Sequence, residues 1–183
     1  MRASPNIQTK VHKFLSEHRL ATLATVAETK VPNAAAIYYI VDKEFNIYFM
    51  TRIESRKFLN LEINPTVSMV ITDETTMETV QLSGVAERIE NPTEESANLT
   101  RLWTADHRNP NWPGPAVKLF EAGHSVQLAV VKVVPNEMTY ALFKRLDEGH
   151  NESFLKRYFE SMCLLSEKSR GSGASNGLQK LTD

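Results

Sequence analysis

Thr51, Ser55, Arg56 and Lys57 fall within one short run from Ile47 to Asn60, IYFMTRIESRKFLN, which reads as a strand ending at Thr51 and a helix starting at Ser55. This pattern can hold a phosphate. The first amides of a helix lack backbone partners and present free donors with a partial positive charge, and serine is a residue type that caps such a start. Helix starts usually collect Asp and Glu, so Arg56 and Lys57 oppose the helix dipole by roughly a few tenths of a kcal/mol unless an anion sits between them. The plain alternative is two solvated cations after a turn.

Other residues offer less chemistry. His12, His18, His107, His124 and His150 include no i,i+3 or i,i+4 pair, so no metal site is expected. His107, beside Arg108, suits a helix end interacting with the dipole; donation to a substrate is the sharper reading. Tyr38 and Tyr39 on one strand point to opposite faces, so only one of them can face a ligand. Trp112 lies in the stiff loop RNPNWPGP, where it either packs or acts as a lid over a bound ring. The single Cys163 cannot form an internal disulfide and reads as an inert thiol on a helix face. No Ser-His-Asp set or paired carboxylates stand out, and no catalytic residue is named.

These residues need a scaffold. Ser4-Pro5 starts a helix whose apolar stripe is Ile7, Val11, Phe14 and Leu15, ending near His18. LATLATV, AAAIYYIV and IYFMT read as strands, the last two joined by the tight connection DKEFN. Phe58, Leu59 and Leu61 give the next helix its buried side, and Asn64-Pro65 stops it. TVSMVIT and METVQLSGVAERIE follow as strands, the second bent at Gly84. Asn91-Pro92-Thr93-Glu94 opens a helix with Leu99, Leu102 and Trp103 on its apolar side, ending near His107. SVQLAVVKVV and EMTYALF read as two strands separated by Pro135-Asn136, and LFKRLDEGHNESFLKRYFESM as an amphipathic helix. Hairpin-length connections favour an antiparallel sheet closed into a barrel.

Composition sets the frame. The 183 residues, 42% hydrophobic and 23% charged, match one globular domain over residues 1–165, followed by a flexible Gly/Ser-rich tail over 166–183. Lys and Arg number 21 against 22 Asp and Glu, which provides no field for wrapping nucleic acid or coating an anionic membrane. With no secretion signal and no apolar run near the ~20 residues of a membrane span, the expectation is a soluble cytoplasmic protein.

Taken in order from Val11 to Ile89, the first helix, RLATLATV, IYFMT, SRKFLNL, NPTVSMVI and VQLSGVAERI resemble the flavin-binding split barrel of the pyridoxamine 5′-phosphate oxidase superfamily. The resemblance implies a mainly β fold: an antiparallel split barrel of six or seven strands, of Greek-key type, with short capping helices. It implies that Thr51, Ser55, Arg56 and Lys57 hold the phosphate of flavin mononucleotide (FMN), with Met50 beside them. Ala35, Ala36, Ile37 and Tyr38 would line the isoalloxazine ring, mostly through backbone. Thr79, or Gln81 two residues on and on the same face, would offer a polar contact, and Trp112 would pack near the ring. The oxidase proper carries an Arg where this chain has Ala35 and ends in a basic substrate-gripping segment not found here, so the resemblance implies the cofactor but not that substrate. It further implies a homodimer with flavin at the subunit boundary and hydride or electron transfer to an unidentified small molecule. A non-catalytic flavin binder, or the same barrel carrying haem or deazaflavin, are the alternatives.

Overall fold

The computed structural model describes residues 5–104, 127–144 and 158–165. The order is α1 (Pro5–Glu17), β1 (Leu20–Val26), β2 (Pro32–Tyr38), β3 (Ile40–Val41), β4 (Ile47–Arg52), α2 (Arg56–Ile63), β5 (Thr66–Asp73), β6 (Glu78–Arg88), α3 (Pro92–Thr104), β7 (Leu128–Lys144) and β8 (Tyr158–Leu165). All strand pairs are antiparallel, and the ladder runs β2-β1-β5-β6-β7-β4-β3, with β8 also on β7. Its two ends are β2 and β3, which follow one another in the chain with only Tyr39 between them. Terminal strands joined through one residue force the sheet to curl back on itself, and the result is the mainly β split barrel with flanking helices that the sequence led us to expect.

Alternation fills the barrel. Val67, Met69 and Ile71 of β5 and Val80 and Leu82 of β6 point inward, and Val11, Phe14 and Leu15 of α1 join the same core. Tyr39 is fully buried there; its hydroxyl donates to the Leu15 carbonyl at 3.0 Å and its amide to the Arg19 carbonyl at 3.0 Å, so the strand expected to run through AAAIYYIV breaks at this residue. A second cluster, Ile40, Tyr48, Ile89, Leu102 and Val130, lies between α3 and the outer face of β4 and β7. Tyr48 donates to Asp42 Oδ2 at 3.0 Å, and its hydroxyl is pushed up to about 12, first by burial and then by that carboxylate.

A clasp ties α1 to the barrel. Lys10 Nζ is 2.9 Å from Glu78 Oε1 and 4.9 Å above the Tyr140 ring, while the Tyr140 hydroxyl donates to the same carboxylate. Burial works against the charge on Glu78, but these bonds outweigh it and hold the carboxyl below its ordinary range.

Several expectations are corrected. Pro135-Asn136 does not divide two strands, because β7 runs through it with a register shift opposite Ser83-Gly84. The β4 pairing ends at Val133 and the β8 pairing begins at Glu137, so the proline sits where one edge of β7 changes partners. Of the helix expected over LFKRLDEGHNESFLKRYFESM, residues 142–144 are instead the end of β7 and residues 158–162 belong to β8, residues 145–157 lie outside the described residues, and Cys163 lies on β8 in register with Thr139. On α2, Leu59 is 52% exposed and Asn60 takes a buried place beside Phe58 and Leu61. The expected helix end near His107, the Trp112 loop, and the tail over 166–183 lie outside the described residues. Among the described residues no helix is long and apolar enough to cross a membrane, and no cluster of metal-ligating side chains occurs.

Candidate functional site

The barrel is open between β2 and β4. β3 pairs with β4 only at Ile40↔Tyr48 and Val41↔Ile47. Continuing that register would put Met50 opposite Tyr38 and Arg52 opposite Ala36, yet those pairs do not form: β2 and β4 remain neighbours and diverge from the Tyr39 junction. β2 ends the ladder, so its far backbone edge pairs with no strand among the described residues. Residues 35–38 therefore form one lip of a split and residues 50–52 the other. On the first lip, Ile37 is buried in the core, while Ala36 and Tyr38 face outward across from Thr22 and Leu20. Lining by 35–38 from one side must rest largely on backbone.

α2 follows directly from the β4 lip and is tied to both sides of the barrel. Ser55 caps it, with its side chain accepting from the Phe58 amide at 3.3 Å, and Thr51 Oγ1 lies 2.9 Å from Ser55 Oγ. Thr51 is buried, which fixes the cap to β4. Deeper in the helix, Asn60 Nδ2 donates to Thr25 Oγ1 of β1 at 3.0 Å, with both residues buried.

Three cations, Arg52, Arg56 and Lys57, surround this start. Among the described residues, none of the three forms a salt bridge, and Arg56 is exposed. Burial pushes the half-buried Lys57 ammonium below its ordinary value, and the neighbouring Arg52 charge pushes it further. Two repelling cations beside free helix amides are stabilised by a bound anion, and a capping hydroxyl and a buried threonine hydroxyl are polar neighbours for its oxygens. The donor set fits a phosphate monoester.

The structure thus gathers Ser55, Arg56, Lys57 and Thr51 at one point, with Ala35, Ala36, Ile37 and Tyr38 across the split. Met50 follows the period-2 rule and turns its side chain the other way, against the cluster beneath α3. Thr79 and Gln81 lie elsewhere: Thr51 is in register with Ala129 at one end of β7, whereas Thr79 pairs with Ala141 and Gln81 with Thr139 toward the other. At roughly 3.3 Å per residue the twelve steps from 129 to 141 span on the order of 40 Å of strand. Thr79 is buried, its hydroxyl donating to Thr72 Oγ1 at 3.3 Å. Gln81 is exposed and, with Thr22, Ser68, Ser83 and Thr139, lines an open groove of about 350 Å³ on the outer face of the sheet. Trp112 is outside the described residues. Sequence reasoning missed Arg52, which lies between the strand end expected at Thr51 and the helix start expected at Ser55 and is the last residue of β4, and the Asn60–Thr25 bond, whose partners lie thirty-five residues apart.

Comparison with known proteins adds the following. A family model described as pyridoxamine 5′-phosphate oxidase matches residues 7–138. No curated protein matches the chain. Among solved structures, a Clostridium acetobutylicum protein related to general stress protein 26, of the pyridoxinephosphate oxidase family, is similar with a TM-score of 0.62 at 11% identity, covering 89% of this chain and 96% of that one. An F420 reductase is similar with a TM-score of 0.53 at 23% identity, covering 69% and 94%. A heme binding protein from Mycobacterium smegmatis is similar with a TM-score of 0.56 at 19% identity, covering 75% and 55%. At these identities the structural likeness concerns the fold.

Proposed function

We propose that this chain, which belongs to the pyridoxamine 5′-phosphate oxidase family, is an FMN-binding oxidoreductase acting on a small molecule, with its cofactor in the split between β2 and β4. The observation that carries the reading is the start of α2, where the Ser55 cap, Thr51, Arg56 and a half-buried Lys57 converge beside the open edge of β2. Arg56, Lys57 and the first amides of α2 would hold the phosphate, and the β2 backbone would meet the ring edge with donors and acceptors. Bound flavin would supply hydride or electron transfer; the protein's own share is to bind, orient and limit the access of water. The absence of a nucleophile-base pair from the sequence reading is in keeping with that division.

Thr79 and Gln81 would complete such a site only from a second copy, since within one protomer they lie toward the far end of β7 from the cradle. A homodimer that sets the outer groove of one protomer over the split of the other is therefore part of the proposal. A second reading keeps the barrel and changes the cofactor, favoured by neighbours described as an F420 reductase and a heme binding protein. The visible spectrum of the purified protein separates flavin, deazaflavin and haem. Flavin without turnover when a nicotinamide donor is supplied would mark a binding protein instead of an enzyme.

Titration tests the cradle. Each charge-assisted contact is worth about 1.5 to 3 kcal/mol, so Arg56→Ala and Lys57→Ala should each weaken FMN binding about tenfold to a hundredfold and leave riboflavin, which lacks the phosphate, at its parent affinity. Parent-level FMN affinity in both variants would place the phosphate elsewhere.

A further inference from the structure

Asn60 occupies a position where an apolar residue would be the ordinary choice. It is 6% exposed, lies between Phe58 and Leu61 on the buried side of α2, and donates to Thr25 Oγ1, itself 1% exposed. Burying an amide and a hydroxyl contributes little net stability, and a well-packed apolar pair of similar shape is close to neutral or better. A hydrogen bond adds what apolar packing lacks, which is direction. α2 has only eight residues and sits on the barrel mainly through Phe58 and Leu61, a contact that by itself tolerates a small roll of the helix axis. Lys57 precedes Asn60 by three residues, so the two share a side of the helix, and a roll that moves one moves the other.

We propose that the Asn60–Thr25 hydrogen bond is the positioning device of the phosphate cradle. It fixes the roll of α2 against β1, while the Thr51–Ser55 contact fixes the start of α2 against β4, so that Lys57 and the free helix amides are aimed at the same anion. Asn60 and Thr25 are positioning residues that do not touch the phosphate. The inference rests on reading the start of α2 as that cradle.

The test compares the parent with Thr25→Val/Asn60→Leu, which removes both partners together and leaves no orphaned polar group, and with Thr25→Ser, which keeps the hydroxyl. FMN and riboflavin affinities are measured by calorimetry alongside thermal unfolding, and the amides of residues 55–58 are followed by NMR as inorganic phosphate is added. The double variant is expected to unfold within a few degrees of the parent, to bind FMN about tenfold more weakly, to bind riboflavin unchanged and to lose the phosphate-induced shifts; Thr25→Ser should retain parent behaviour. If the double variant does not fold, Thr25→Ala/Asn60→Ala, which likewise removes both partners together, carries the same comparison. Equal loss of FMN and riboflavin, or parent-level FMN affinity in the folded variant, would overturn the positioning role while the cradle stands. A parent protein that binds neither FMN nor inorganic phosphate would remove the cradle itself, and the inference with it.

Discussion

Lys57 shows how a single side chain records what its surroundings are built to meet. Its ammonium is held below the ordinary lysine value by burial first and by Arg52 second, so the unliganded site disfavours the charge that a phosphate would stabilise. Anion binding raises that value again, and the sign follows from linkage. If FMN occupies this cradle, its affinity is fully present below the free-state value of Lys57 and is lost as pH rises through it toward the bound-state value, in the alkaline range where the phosphate, doubly ionised above about pH 6, no longer changes charge. Calorimetric titration of FMN across that range should show weakening in the parent, a flat profile in Lys57→Met and a flat profile for riboflavin. A parent curve that remains level would mean that Lys57 does not face the anion.

Gly84 carries the same logic at the level of elements. A Cβ there would lie 2.5 Å from the Val134 carbonyl oxygen and 3.1 Å from Pro135 Cα, both backbone atoms of the facing strand, so Gly84→Ala must push β7 outward at its register shift. The expected cost is about 1 to 3 kcal/mol, read as a lower denaturation midpoint at unchanged slope. Unchanged stability would show the β6–β7 bulge to be slack. The glycine was legible in the sequence because a lone glycine inside an alternating run signals a bend. Its partner was not: Pro135-Asn136 carries the same composition whether it turns the chain or sits in a bulge, and only the hand-over from β4 to β8 along one edge of β7 decides which. The Ser55 cap, the α1 stripe and the stop at Asn64 were readable because capping and periodicity are local. The exposure of Leu59, the burial of Asn60 and the strand at 158–165 depend on contacts distant in sequence, and local pattern has no access to them.

For the whole molecule, the arrangement of faces matters most. α3 covers the outer side of β4 and part of β7, while the outer side of β1, β5 and β6 carries no helix among the described residues and presents Gln81, Thr22 and Ser83 beside the exposed cross-strand pair Val85 and Val134. A two-fold symmetric pairing presents the same patch from both copies, which lets each protomer's groove meet the other's split and bring Gln81 to a cradle it does not reach in its own chain. If the flavin is shared in this way, association and cofactor binding are linked, and each strengthens the other by the same free energy. Dilution should then release FMN as dimers part. Gln81→Trp, which places a bulky side chain on the face that would be brought into contact, should weaken both the dimer and FMN binding, while the melting temperature of the isolated protomer stays within a few degrees because the residue is exposed. Sedimentation over a dilution series, read at protein and flavin wavelengths together, measures both equilibria at once: parallel loss of dimer and flavin supports the shared site, and monomers that keep a full complement of FMN would show that one protomer holds the cofactor alone.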